Sequence, residues 1–231
     1  MPQVAWCDEN MRHSLCFFPL VGVLIGMLEF GWLMLCEKLG IAGLIKGAVG
    51  CLIPLIVTGG IHMDGFMDTA DALASRKPPE AARKILKDPH AGAFSVMSCA
   101  MYLILMTAVW SEASTSILPI AFVLSRSLSA LSLVTMKSAS EGLLKTFVDS
   151  AGRRAVRSAA TVWIALFSLL SLWIDPFSGF AGLCACGICF GMYWRTSMKR
   201  FGGITGDLAG WFLQICELSY MAAVVLFRRL A

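Results

Sequence analysis

Apolar residues run through the chain in seven long blocks, separated by short polar segments. The blocks fall at about 17–36, 41–60, 93–110, 117–136, 157–174, 178–194 and 207–227. Each is near the roughly 20 residues that a helix needs to cross the hydrocarbon core of a bilayer. The pattern predicts an all-α, polytopic membrane bundle of about seven transmembrane helices, forming one domain over 1–231. Pro19, Pro54 and Pro119 fall inside blocks, which membrane helices accept where neighbours satisfy the freed backbone groups. The first block follows Asp8-Glu9, has no cleavage-site pattern and exceeds a signal-peptide core, so it reads as a permanent span.

Composition strengthens this reading. The 231 residues are 58% hydrophobic and 15% charged, with a mean hydropathy of +0.75, whereas soluble domains carry about 25% charged residues. Basic residues then set an expected orientation. Segments 1–16, 61–92, 137–157 and 195–206 carry 1, 5, 5 and 3 Lys/Arg, 14 of the 19. This places the N-terminus and the loops at about 61–92, 137–157 and 195–206 in the cytoplasm, with Arg228 and Arg229 as a local exception. The net charge of +4 is explained by topology, and no nucleic-acid partner is implied. Most of the nine cysteines lie inside apolar blocks, and Cys184 and Cys186 sit in a Gly-rich apolar run with no His or carboxylate nearby, so neither a disulfide framework nor a zinc site is indicated.

Chemistry concentrates after the second block. Asp64, Asp68 and Asp71 are spaced by four and three, which stacks them on one face if the segment is helical. Such like charges repel unless a cation offsets them. Oxygen-only ligands favour a hard ion, and Mg²⁺ is commonly held by one or two carboxylates plus substrate phosphate. His62 is a candidate base beside the trio. The same loop closes on Lys87-Asp88-Pro89-His90, where Lys87 would bind phosphate and Asp88 or His90 would act as base or orienting partner. Between them, Pro78-Pro79-Glu80 reads as a helix start. Gly202-Gly203-Ile204-Thr205-Gly206-Asp207 resembles an anion-binding turn at a helix start, with Gly203, Thr205 and Gly206 against substrate and Asp207 completing a metal sphere. The plainer reading of that turn is a Gly-rich loop with Asp207 as helix cap.

Within the blocks, Glu29, Lys46, Arg126 and Glu217 need partners. Lys46 is expected to snorkel or to pair with Glu29. Arg126 is expected either to pair with Glu217 or to line a substrate cavity.

The order of these motifs resembles the adenosylcobinamide-GDP ribazoletransferase (cobalamin synthase) family. It is carried by Gly59-Gly60-Ile61-His62-Met63-Asp64-Gly65 with Asp68-Thr69-Ala70-Asp71, by Lys87-Asp88, His90 and Gly92-Ala93-Phe94, by Ser125-Arg126, by Glu141-Gly142-Leu143, and by Gly202–Asp207 with Glu217. The chain departs from the family pattern at Ala72, Ser95, His90 and Gln214. The resemblance implies a Mg²⁺-dependent enzyme of a prokaryotic cytoplasmic (inner) membrane, with its active site facing the cytoplasm. It would join adenosylcobinamide-GDP to α-ribazole or its 5′-phosphate, releasing GMP. Asp64, Asp68, Asp71 and Asp207 would hold the metal, and Lys87, Arg126, Lys137, Arg195 and Arg200 would supply positive charge. Membrane lipid, a second copy of the chain and other corrinoid-pathway enzymes are the further partners it suggests. Two alternatives remain at this point: a membrane CDP-alcohol phosphotransferase-like enzyme, and a small-solute transporter using Glu29, Arg126 and Glu217.

Overall fold

The computed structural model describes residues 8–114, 116–139 and 152–230, with side chains of the first helix from Leu15. Glu141-Gly142-Leu143 and most of the 137–157 segment lie outside the described residues. All seven apolar blocks form helices. In chain order the elements are α1 (Asp8–Leu39), α2 (Gly43–Thr58), α3 (Ile61–Ala74), α4 (Pro79–Ile85), α5 (Ala93–Ser111), α6 (Ile120–Thr135), α7 (Arg153–Ile174), α8 (Pro176–Thr196) and α9 (Gly206–Leu230). A π-helical turn at Ser197–Phe201 continues α8, where the sequence suggests a loop. The helix start expected at Pro79 is α4, with Pro in its first turn.

Among the described residues, five helices are long and apolar enough to cross a membrane, or six if α2 and α3 count as one broken span. The difference from seven has two causes. α2 and α3 meet at 97° because Gly59 (φ 62°) and Gly60 (φ 76°) are both left-handed, a conformation that glycine adopts without a Cβ penalty. Their N–H groups return to Ile56 O and Leu55 O, closing α2. α3, with 14 residues and a length of about 21 Å, does not cross on its own. α6 has only 16 residues, but nearly all of its side chains are buried by other helices, so its length need not match lipid.

α6 is the central pillar, packed against α1, α7 and α9, while α9 also packs on α8 and α3. Apolar side chains of the outer helices, such as Met27, Ile104, Leu169 and Ile188, are exposed, as expected where lipid is the solvent. The bundle has two distinct ends. One gathers α3, α4, the starts of α5 and α9, the end of α6 and the π-helical turn. The other gathers the end of α5, the α7–α8 junction and the C-terminus. There Arg229 pairs with Glu112, and Arg228 approaches Asp175 at 3.6 Å, so the two basic residues that break the charge asymmetry are locally neutralised.

Buried polar groups join the helices. Arg126 donates to Glu217 at 2.7 Å and Ser125 donates to the same carboxylate at 2.8 Å. Arg126 and Glu217 are both buried, so Arg126 serves as the structural partner of Glu217 rather than lining an open cavity. Lys46 does not pair with Glu29: its ammonium donates to Ala113 O at 2.9 Å, and both Glu29 carboxyl oxygens are buried without a partner among the described residues.

Candidate active site

The acidic trio lies on α3, and the four-three spacing does place it on one stripe of that helix. α3 crosses the start of α9 at unusually short range. A Cβ on Gly65 would lie 2.8 Å from Asp207 Cα and from Asp207 O, and one on Gly210 would lie 3.0 Å from His62 O. These two glycines let the backbones approach and bring Asp207, 136 positions along the chain from Asp71, to the acid stripe. Burial, then the carboxylates of Asp64, Asp207 and Asp71, push Asp68 up to about 6. The four acids therefore share one electrostatic environment. Asp64 is exposed, and Asp68 and Asp71 are half-buried.

Asp71 has a specific structural task. Its Oδ2 accepts from Gly92 N at 2.6 Å and its Oδ1 from Ser95 N at 2.9 Å. It caps α5 from another helix, satisfying backbone donors that a helix start leaves open. The cap anchors the Lys87–Gly92 segment beside α3. In that segment Asp88 and His90 are exposed and turned to each other, with His90 Nδ1 2.9 Å from Asp88 Oδ1. The His90 backbone N–H, and then its ring, hold the Asp88 carboxyl below its usual range. Lys87 is exposed.

His62 is half-buried at the first turn of α3, edge-on to Phe18 with ring centroids 6.1 Å apart. Burial, and then the Arg126 guanidinium, push it down to about 4. It is neutral at pH 7 and a weak proton acceptor.

The Gly-rich turn works differently from an anion cradle. Gly203 N donates to Ser197 O at 3.0 Å and Ile204 N to Lys137 O at 2.8 Å, while Ala139 N donates to Ile204 O at 2.8 Å. These amides are consumed inside the fold. Gly203 (φ 155°) is needed because a Cβ there would lie 2.5 Å from Lys137 O. Thr205, not Asp207, caps α9: its Oγ1 accepts from Leu208 N at 3.2 Å. Gly206 is exposed with open space around it, and the short bridge between Ser138 and Ile204 holds Lys137 beside the turn. Lys137, Arg195 and Arg200 are exposed. Sequence reasoning missed Arg83, whose Nη1 donates to Phe201 O at 2.6 Å and ties α4 to the π-helical turn. It also missed Gly65 and Gly210 as a close crossing, for which small residues in facing helices were the available signal.

The arrangement thus collects carboxylates, exposed cations and a glycine-shaped turn at one end of the bundle, away from its middle. That placement argues against a transporter, whose substrate site sits near the midplane. Among the described residues, no three His, Cys, Asp or Glu side chains converge tightly enough to cage a metal.

The family model for CobS, cobalamin-5-phosphate synthase, matches residues 1–225. The chain belongs to the cobalamin-5-phosphate synthase family. Among similar relatives, an adenosylcobinamide-GDP ribazoletransferase of Lachnoclostridium phytofermentans is 38% identical over 98% of this chain and 88% of its own length. A protein of the same name from Clostridium botulinum is 31% identical over 98% of this chain and 92% of its own. One from Pseudomonas savastanoi is 32% identical over 94% and 90%. No solved structure matches the chain. This member of the cobalamin-5-phosphate synthase family gathers its acid stripe, Asp207 and the exposed cations at one end of the bundle.

Proposed function

We infer that the chain is an adenosylcobinamide-GDP ribazoletransferase whose reaction centre is the α3–α9 crossing. The substrates are adenosylcobinamide-GDP and α-ribazole or its 5′-phosphate. A ribazole hydroxyl oxygen forms a bond to the phosphorus carried by the corrinoid side arm. The bond from that phosphorus to the bridging oxygen breaks, GMP leaves, and the hydroxyl proton is released. The observation that carries this reading is the meeting of Asp64 and Asp68 with Asp207 across the Gly65 contact, in a chain of this family.

The donor set suits Mg²⁺. It is all oxygen, and an ion that completes its sphere with water and substrate phosphate needs only one or two carboxylates rather than a closed cage. One or two of Asp64, Asp68 and Asp207 would hold it together with water and substrate phosphate, and bound Mg²⁺ would neutralise charge on the pyrophosphate oxygens. Asp71 keeps α5 and the Lys87 segment in register with those acids. Lys87, Lys137, Arg195 and Arg200 are exposed cations available for the phosphates and the departing GMP, since phosphoryl transfer depends mostly on positioning and charge stabilisation. His62 stays neutral and positions the start of α3. The Lys/Arg asymmetry supports a cytoplasmic location for this end, in an integral inner-membrane protein.

The test is GMP release by purified protein in detergent, with Mg²⁺ and with EDTA, for wild type and Asp64→Asn. Release with Mg²⁺ that is lost in EDTA and in the variant supports the assignment. Full turnover by folded Asp64→Asn would remove the carboxylates from the mechanism.

A further inference from the structure

The opposite end of the bundle carries a second recess that the transferase chemistry does not use. α5 starts at the Asp71 cap and is 19 residues long, so its far end lies about 28 Å from the acids. There the end of α1, the start of α2 and the α5–α6 connection enclose a cavity of about 310 Å³. Its polar lining includes Lys46, Glu37, Ser114 and Ser116, and its apolar lining includes Phe30 and Met34. Phe30 and Met34 are exposed on the lipid-facing side of α1.

Lys46 is the informative group. It is half-buried, and its Nζ uses one of three donors on Ala113 O. Its backbone carbonyl accepts from the Trp32 indole at 3.0 Å, which fixes α2 against α1. No carboxylate among the described residues pairs with its ammonium. A partly desolvated cation with free donors calls for an anion. Glu37 lines the same cavity, and its carboxylate also has no partner among the described residues. A cation and an anion thus stand unpaired in one recess, with hydroxyls beside them and apolar side chains leading into lipid.

We propose that this recess binds one zwitterionic phospholipid carrying a primary amine. The phosphate is held by Lys46 with the Ser114 and Ser116 hydroxyls, the ammonium lies against Glu37, and an acyl chain lies along Phe30 and Met34. The opposed charges select such a headgroup over an anionic one, for which Glu37 is repulsive.

Native mass spectrometry of the full chain, released from bilayers with equal amounts of phosphatidylethanolamine and phosphatidylglycerol, tests this. The wild type retains phosphatidylethanolamine preferentially. Lys46→Gln lowers that retention about tenfold, the loss expected for one charge-assisted hydrogen bond. Glu37→Gln, at an exposed position, keeps lipid bound but erases the preference over phosphatidylglycerol. Thermal unfolding shows both variants to be folded. Soluble phosphoethanolamine fails to displace the lipid, because the acyl contacts are missing. The proposal is overturned by wild-type retention in Lys46→Gln, by equal retention of the two lipids in the wild type, or by displacement with soluble phosphoethanolamine.

Discussion

Replacing Gly65 with alanine tests the closest contact in the site. The new Cβ would sit 2.8 Å from both the Cα and the carbonyl oxygen of Asp207. Both are backbone atoms, so no side-chain rotation relieves the clash. The start of α9 must retreat by about 0.6 Å to reach the 3.4 Å at which ordinary contact begins. Overpacking of this kind costs about 1–3 kcal/mol, against a gain of roughly 0.5–1 kcal/mol from replacing a mid-helix glycine. The difference runs from about 0 to 2.5 kcal/mol, and the clash wins over most of that range because both atoms it meets are backbone. Activity is more sensitive, because misplacing catalytic groups by about 1 Å costs roughly a hundredfold. A shift of about half that size predicts GMP release slowed about tenfold or more. Gly210→Ala, whose Cβ would meet His62 O at 3.0 Å, should show a smaller loss. Gly31→Ala, with nothing within 4 Å, should keep full activity and gain stability. The assay is GMP release beside thermal unfolding in detergent for all three variants. Equal behaviour of Gly65→Ala and Gly31→Ala would refute the reasoning.

Other outcomes follow from the same contacts. Asp71→Ala removes the acceptor for Gly92 and Ser95 amides and should cost about 1–2 kcal/mol, with faster amide exchange at the start of α5. Arg126→Met leaves Glu217 buried with the Ser125 hydroxyl but without its counter-charge and should cost about 3–5 kcal/mol, whereas Arg126→Met with Glu217→Met recovers most of it, as a double-mutant cycle would measure. Asp68, raised to about 6, disfavours its charged form in the fold. In EDTA the apo protein should therefore gain stability as pH falls through 6 toward the ordinary carboxylate value near 4, and lose it as pH rises. Mg²⁺ bound at these acids as proposed would favour the carboxylate and reverse the trend, so any Mg²⁺-induced rise in Tm should shrink below pH 6.

The helices were legible because each buries or exposes a continuous apolar surface, a local property of the chain. The acid stripe was equally legible, since four-three spacing is a property of one helix. The 97° break falls at Gly59-Gly60, where the second apolar block ends, and its sharpness was not legible because hydropathy does not register backbone handedness. The cap that Asp71 provides for α5, at a residue 21 positions away, could not be read from its place in the stripe. Arg228 and Arg229 contradicted the charge pattern until Asp175 and Glu112 were found against them. In these cases the deciding contact spans a long sequence separation and leaves no periodic trace. The glycine turn was found but its amides were assigned outward, since composition does not tell which hydrogen bonds a loop spends on itself.

The central position of α6 bears on how the protein is made. An arginine in mid-helix costs about 2.5–3.5 kcal/mol on insertion, and α6 is short for a span. Its counter-charge, Glu217, emerges from the ribosome 91 residues later. Throughout that interval the nascent pillar is the least self-sufficient segment of the chain, and only the last helix completes it. Biogenesis is thus tied to full synthesis: a product cut short before α9 would lack the neutralising carboxylate as well as Asp207, and would be a substrate for membrane quality control rather than a smaller version of the enzyme.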